Sequence, residues 1–185
     1  MPAVERFLNY VKIDTQASET TGTTPSTEKQ KNLGNLLVKE LLQMGINDAH
    51  MDEFGNVYAH VPGDELRIGL NAHMDTALEV TDENVNPRLV KDYKGGTIKL
   101  MNGLSMSPKD FPILKNHVGH DLIVTDGNTL LGADDKAGIA IIMLVLQYFQ
   151  SHPLVKHHTI CVCFTVDEEI GEGPLHFNYE KMGAE

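Results

Sequence analysis

Three short stretches of the sequence set metal-binding or proton-handling side chains close together: His73-Met74-Asp75, Asp134-Asp135 and Glu168-Glu169. Adjacent carboxylates repel each other and resist leaving water, so acidic pairs at the ends of apolar runs call for a positive partner. A divalent ion such as zinc fits, because it accepts imidazole nitrogen and carboxylate oxygen alike. A histidine two residues before an aspartate lets the carboxylate hold one ring N–H, which fixes the tautomer and aims the other nitrogen outward. His73 is therefore a candidate ligand and Asp75 its orienter. Successive side chains diverge in Glu168-Glu169, so one can bind metal while the other takes a proton from bound water. Asp134 is the natural carboxylate to bridge two ions, the arrangement that underlies two-metal hydrolysis. Each pattern alone has a plainer reading, since acidic pairs commonly do no more than solvate a turn. The three together carry the inference.

The elements that must position these groups follow from hydrophobic period. Val4, Phe7, Leu8 and Val11 make one stripe of a helix over residues 3–12. A second helix is expected from about Pro25-Ser26, with Thr27 and Gln30 as a capping box, Leu33, Leu36, Leu37, Leu41 and Met44 inward, and Gly45 as its stop. Period two then takes over in Val57, Ala59 and Val61 and, after the Pro62-Gly63-Asp64 turn, in Ile68, Leu70 and Ala72. The second of these strands runs straight into His73. Residues 76–121 are polar, long for a bare connection, and read as small hairpins or a flap with a strand candidate at Thr97–Leu100. Leu122–Thr125 and Thr129–Leu131 flank a turn ahead of Asp134. From Lys136 to Phe149 nearly every position is apolar, as in a helix buried on most sides. Lys136 itself either neutralises surplus charge beside the acidic pair or begins that helix. His158–Val166 reads as a central strand and ends at Asp167-Glu168-Glu169. The fold class is α/β, a mixed, largely parallel sheet flanked by helices, with all three clusters meeting where the strands end.

Composition narrows the partners. With 26 acidic against 15 basic residues and a formal charge of -11, the chain is a poor match for nucleic acid. The longest apolar run, Gly138 to Leu146, is far short of the roughly 18 residues needed to span a bilayer, and the N-terminus lacks the apolar region of a signal peptide. Neither a membrane nor an export route is expected. Cys161 and Cys163, one residue apart in an apolar strand, suit neither a redox pair nor a disulfide framework; they read as core residues in a reducing cytoplasm. Met74 reads as packing. His117, His120, His152, His157 and His158 read as solvated or hydrogen-bonded loop residues.

HMDT at 73–76, LLGADDKAG at 130–138 and FTVDEEIGEG at 164–173 resemble the signature segments of the peptidase T family, tripeptide aminopeptidases of the dizinc exopeptidase superfamily. YVKIDTQ at 10–16, STEKQKNLGNLL at 26–37 and VTDGNTLLGADDKAG at 124–138 match that branch more closely than related carboxypeptidases or desuccinylases. The resemblance implies a zinc exopeptidase-like catalytic domain with two zinc ions. His73 would bind one, Glu169 the other, and Asp134 both. Asp75 would orient His73, and Glu168 would be the general base, with a cis peptide following Asp134. The family pattern also calls for a further aspartate and a late histidine, which no residue here supplies. Residues 1–185 are accordingly expected to be the N-terminal part of a catalytic domain, without its lid domain and C-terminal part, and inactive alone. The expected substrate is a small peptide, and a homodimer is one arrangement open to the protein. Two alternatives stand beside this: another dizinc hydrolase acting on N-acyl amino acids or dipeptides, and a non-catalytic domain.

Overall fold

The computed structural model describes residues 1–101 and 103–184. Helices α1 (Ala3–Tyr10) and α2 (Gln30–Gln43) precede strands β1 (His50–Met51), β2 (Val57–Val61) and β3 (Asp64–His73). Short strands β4 (Arg88–Val90), β5 (Ile98–Lys99), β6 (Ser105–Met106) and β7 (Leu122–Val124) follow, then α3 (Ala133–Ser151), β8 (His158–Thr165) and α4 (Tyr179–Met182). The main sheet runs β1-β2-β8-β3. It is mixed, as expected: its longest pairing, β3 with β8, is parallel, while β1 with β2 and β2 with β8 are antiparallel.

Of the segment expected to form hairpins, β5 and β6 pair as one, whereas β4 pairs with β7 beyond the segment, and both pairs enclose a small core of Tyr93, Ile98, Leu114 and Val124. Thr129–Leu131 is not a strand; Leu130 N–H instead donates to Thr81 C=O.

β8 is the central strand, and its alternation serves two cores. Ile160, Val162 and Phe164 face Leu33 and Leu37 of α2 and Ile139 and Met143 of α3, whereas Cys161 and Cys163 pack with Tyr58 and Met182 on the other side. Both thiols are free and buried. Met74 is fully buried in the larger core. Entry into β8 passes so close to Gly63 that a Cβ there would lie 2.4 Å from His157 O, which only glycine avoids.

Three details depart from the periodicity. α1 buries Arg6, Phe7 and Tyr10 and leaves Val4 exposed. The cause is Glu40 of α2, whose Oε2 accepts from Arg6 Nε at 3.0 Å and Tyr10 OH at 3.1 Å, so two polar residues turn inward. α2 starts at Gln30 rather than near Ser26 and forms no capping box; the Gln30 side-chain amide donates to Asp167 Oδ1 at 2.6 Å and, at longer range, to the Ser26 and Thr27 hydroxyls. Its stop is as expected: Gly45 has φ +87°, with Ile46 N–H donating to Leu41 C=O and Gly45 N–H to Leu42 C=O. α3 is not covered on most sides, since Ile141, Leu144 and Tyr148 are exposed along one face. Among the described residues, no helix is long and apolar enough to cross a membrane.

Candidate metal centre

Parallel pairing sets His73 of β3 opposite Thr165 of β8, so both strands deliver their following residues to one edge of the sheet. The His73 ring is buried there. Its Nδ1–H donates to the Asp75 backbone C=O at 3.0 Å, with Asp75 Oδ1 at 3.3 Å. That leaves Nε2 facing Asp134 Oδ1 at 3.0 Å and Glu168 Oε2 at 3.8 Å. Asp134, sixty-one positions on, thus hydrogen-bonds the imidazole, and Glu168 stands at ion-pair distance.

The ring hydrogen bond goes to the Asp75 backbone, where the sequence pointed to the carboxylate, and the carboxylate has other partners. Fully buried, it accepts the Glu168 N–H on Oδ1 at 3.1 Å and the Glu169 N–H on Oδ2 at 2.9 Å. The same carboxylate therefore holds the backbone of the acidic pair and borders the imidazole.

Asp134 and Asp135 are not helical, although they stand at the start of α3; their φ/ψ are -84/108° and -121/28°, and the bond between them is cis. Asp134 projects into solvent. Asp135 turns back to cap the helix, its Oδ1 accepting the Gly138 N–H at 3.1 Å. Among the described residues, His73, Asp134 and Asp135 offer ligand atoms within 4.8 Å of one another. Asp135 was not assigned a role from the sequence; its adjacency to Asp134 was the available signal, but which of two neighbours turns inward is a backbone matter. Glu169 is half-buried beside this trio.

The electrostatics mark a concentration of negative charge. Burial opposes protonation of His73, but Asp75, Asp134 and Glu168 outweigh it and push the imidazole up to about 9. Burial raises Glu169, and His73 offsets part of that while Asp75, Asp134 and Glu168 add to it. Burial likewise raises Asp135. Such a set of one imidazole and several crowded carboxylates has the donor chemistry of a borderline dication site.

Lys136 does not supply the missing positive charge. It is fully buried, and its Nζ donates to Ile13 C=O at 2.8 Å and Asp82 Oδ2 at 3.3 Å, away from the acidic pair. Beside Glu168 a cavity of about 290 Å³ opens between Asn71, Thr165, Pro174, Phe177 and Tyr179. The five loop histidines keep to hydrogen bonds: His117 Nδ1 lies 3.3 Å from His120 Nδ1, His152 Nδ1–H donates to Tyr148 C=O, His157 Nδ1–H to His158 C=O, and His158 pairs with Asp64.

Comparison with known proteins bears on this arrangement. No family model matches the chain. Peptidase T of Shouchella clausii is 49% identical over 185 residues, covering 98% of this chain and 45% of that protein. Peptidase T of Bacillus subtilis is 50% identical over 187 residues, covering 98% and 46%. The chain resembles peptidase T. It spans about half the length of the curated peptidase T relatives it matches. Among solved structures, aminopeptidase PepT from Bacillus cereus superposes with a TM-score of 0.66 at 24% identity, over 98% of this chain and 40% of that one. A tripeptidase from Staphylococcus aureus gives 0.64 at 26%, over 97% and 40%. The sheet and helices described above thus share the fold of part of these two structures.

Proposed function

We propose that this chain carries part of the active site of a zinc-dependent aminopeptidase that releases the N-terminal residue of tripeptides. The observation behind this reading is the meeting of His73 Nε2 with Asp134 at 3.0 Å and Glu168 at 3.8 Å, in a chain similar to peptidase T. In this reading His73, Asp134 and Glu169 are the residues that would hold two zinc ions, Asp134 being shared between them. Bound there, the ions would polarise the peptide carbonyl and acidify a water. Glu168, exposed at the edge of the centre, would be the base that takes a proton from the attacking water and the acid that returns it to the leaving amine. Asp75 holds the His73 ring by its N–H and the Glu168-Glu169 backbone by two more, so that acid, base and ligand keep their spacing while protons move. The cavity beside Glu168, walled by Phe177 and Tyr179, accepts part of the peptide. Residues 1–185 would form the N-terminal part of the catalytic domain, the remaining ligands and the lid lying elsewhere in the whole protein. The two free thiols fit a reducing cytoplasm.

A chimera tests this directly: residues 1–185 replace the matching segment of Bacillus subtilis peptidase T. Release of the N-terminal amino acid from a tripeptide, dependent on added zinc, is expected. Glu168→Gln should lower kcat about 10²- to 10⁴-fold with zinc still bound. Preference for an N-acyl amino acid would replace the tripeptide reading, and equal, metal-independent rates in both proteins would end the enzyme reading.

A further inference from the structure

Building on the metal-centre reading above, we propose that Asp167, clamped by Ser26 and Gln30, is a positioning residue that sets the direction of Glu168 and Glu169. Asp167 is fully buried just past the end of β8 and takes a φ of +58°. Aspartate is one of the few non-glycine residues that tolerate this left-handed conformation, and it turns the chain out of the strand into the acidic pair. Its carboxylate turns to the 26–30 segment. Oδ2 accepts the Ser26 N–H at 2.7 Å, while Oδ1 accepts the Ser26 hydroxyl and the Gln30 side-chain amide, each at 2.6 Å. Gln30 closes the ring by accepting the Asp167 N–H on Oε1 at 3.2 Å.

Four hydrogen bonds to two residues thus fix the backbone one step before Glu168. The next two N–H groups are held by Asp75. Between these two carboxylates the Glu168-Glu169 main chain is fixed, and only side-chain torsions remain. A buried carboxylate with neutral donors is a costly way to fill a core; an apolar residue would pack as well but could not grip Ser26 and Gln30. The segment that holds it also touches the other arms of the centre. Thr27 OH donates to Gln16 C=O, Ala17 N–H to Thr76 C=O, and Ile13 C=O accepts from Lys136, next to Asp135. Residues 13–30 therefore bond to Thr76 and Lys136, each one residue past a cluster, and to Asp167, one residue before the glutamate pair.

Cobalt(II) titration of the 185-residue chain, read by its visible absorption, tests the clamp together with amide hydrogen exchange. Ser26→Ala removes one hydroxyl donor, Asp167→Asn keeps the shape but not the charge, and Leu41→Ala in α2 destabilises the larger core instead. The first two should weaken cobalt binding about tenfold or more, change its absorption band, and speed exchange at Glu168 and Glu169 relative to Val162. Leu41→Ala should lower Tm yet leave cobalt affinity and the ratio of those exchange rates as in wild type. Wild-type behaviour of Ser26→Ala and Asp167→Asn in both readouts would overturn the clamp, as would equal effects from Leu41→Ala. If the wild type itself binds no cobalt, the metal reading falls, and exchange alone decides the clamp: selective loss at Glu168 and Glu169 upholds it, uniform loss overturns it.

Discussion

At the scale of single residues, burial divides the carboxylates at the sheet edge into open and closed ones. Asp134 and Glu168 reach solvent, whereas Asp75, Lys136 and Asp167 are sealed from it. His73→Ala removes the one nitrogen donor of the trio and leaves two half- or fully exposed carboxylates; calorimetric titration of the chain should then show zinc affinity lowered by an order of magnitude or more, with the fold retained by circular dichroism. Lys136 and Asp82 form an ion pair that is almost wholly dry, the lysine side chain being 0% and the aspartate 1% exposed. Lys136→Met strands a buried carboxylate, a change that costs about 3–5 kcal/mol in such pairs. Urea unfolding should register that loss, and Asp82→Leu added to Lys136→Met should recover part of it; an unchanged midpoint for Lys136→Met would contradict the pairing.

At the scale of elements, the start of α3 decides where Asp134 points. The helix proper begins at Lys136, and Asp135 caps it through Gly138 N–H. A Cβ on Gly138 would come within 2.2 Å of Asp135 Oδ1, so the glycine is what lets the carboxylate sit over the first turn. Gly138→Ala must displace either the cap or the helix. The expected result is a loss of about 1 kcal/mol, the ordinary worth of an N-cap, accompanied by weaker zinc binding, since Asp134 is carried on the same turn. A gain in stability, as alanine gives at an open helical position, would show that the cap is not in force.

At the scale of the whole molecule, β3 lies at the edge of the main sheet, with Leu66 and Ile68 exposed at 47% and 42%. A long edge strand of this kind is a template for pairing with another chain. The 185-residue chain should therefore self-associate with rising concentration in sedimentation equilibrium, and Ile68→Lys should suppress this. A wild type that stays monomeric across the accessible range would show that the edge is protected in solution.

The sequence alone determined a good deal, because period and chain order are local properties. Apolar alternation located β2 and β3, the helical period located α1 and α2, continuous apolar runs located α3 and β8, and motif order carried the resemblance to peptidase T. His73, Asp134 and the Glu168-Glu169 pair were legible because like charges beside apolar runs are unusual enough to need an explanation. Partners chosen in space were not legible. Glu40 drew Arg6 and Tyr10 inward against the stripe of α1, Asp167 drew the Gln30 side-chain amide, and Asp82 took Lys136 from the acidic pair. Each of these pairings joins residues that are distant in the chain, and in each a buried polar group is satisfied by whichever donor or acceptor the packed elements bring within reach. A sequence lists the groups that must be satisfied, but only tertiary packing selects the partners that satisfy them.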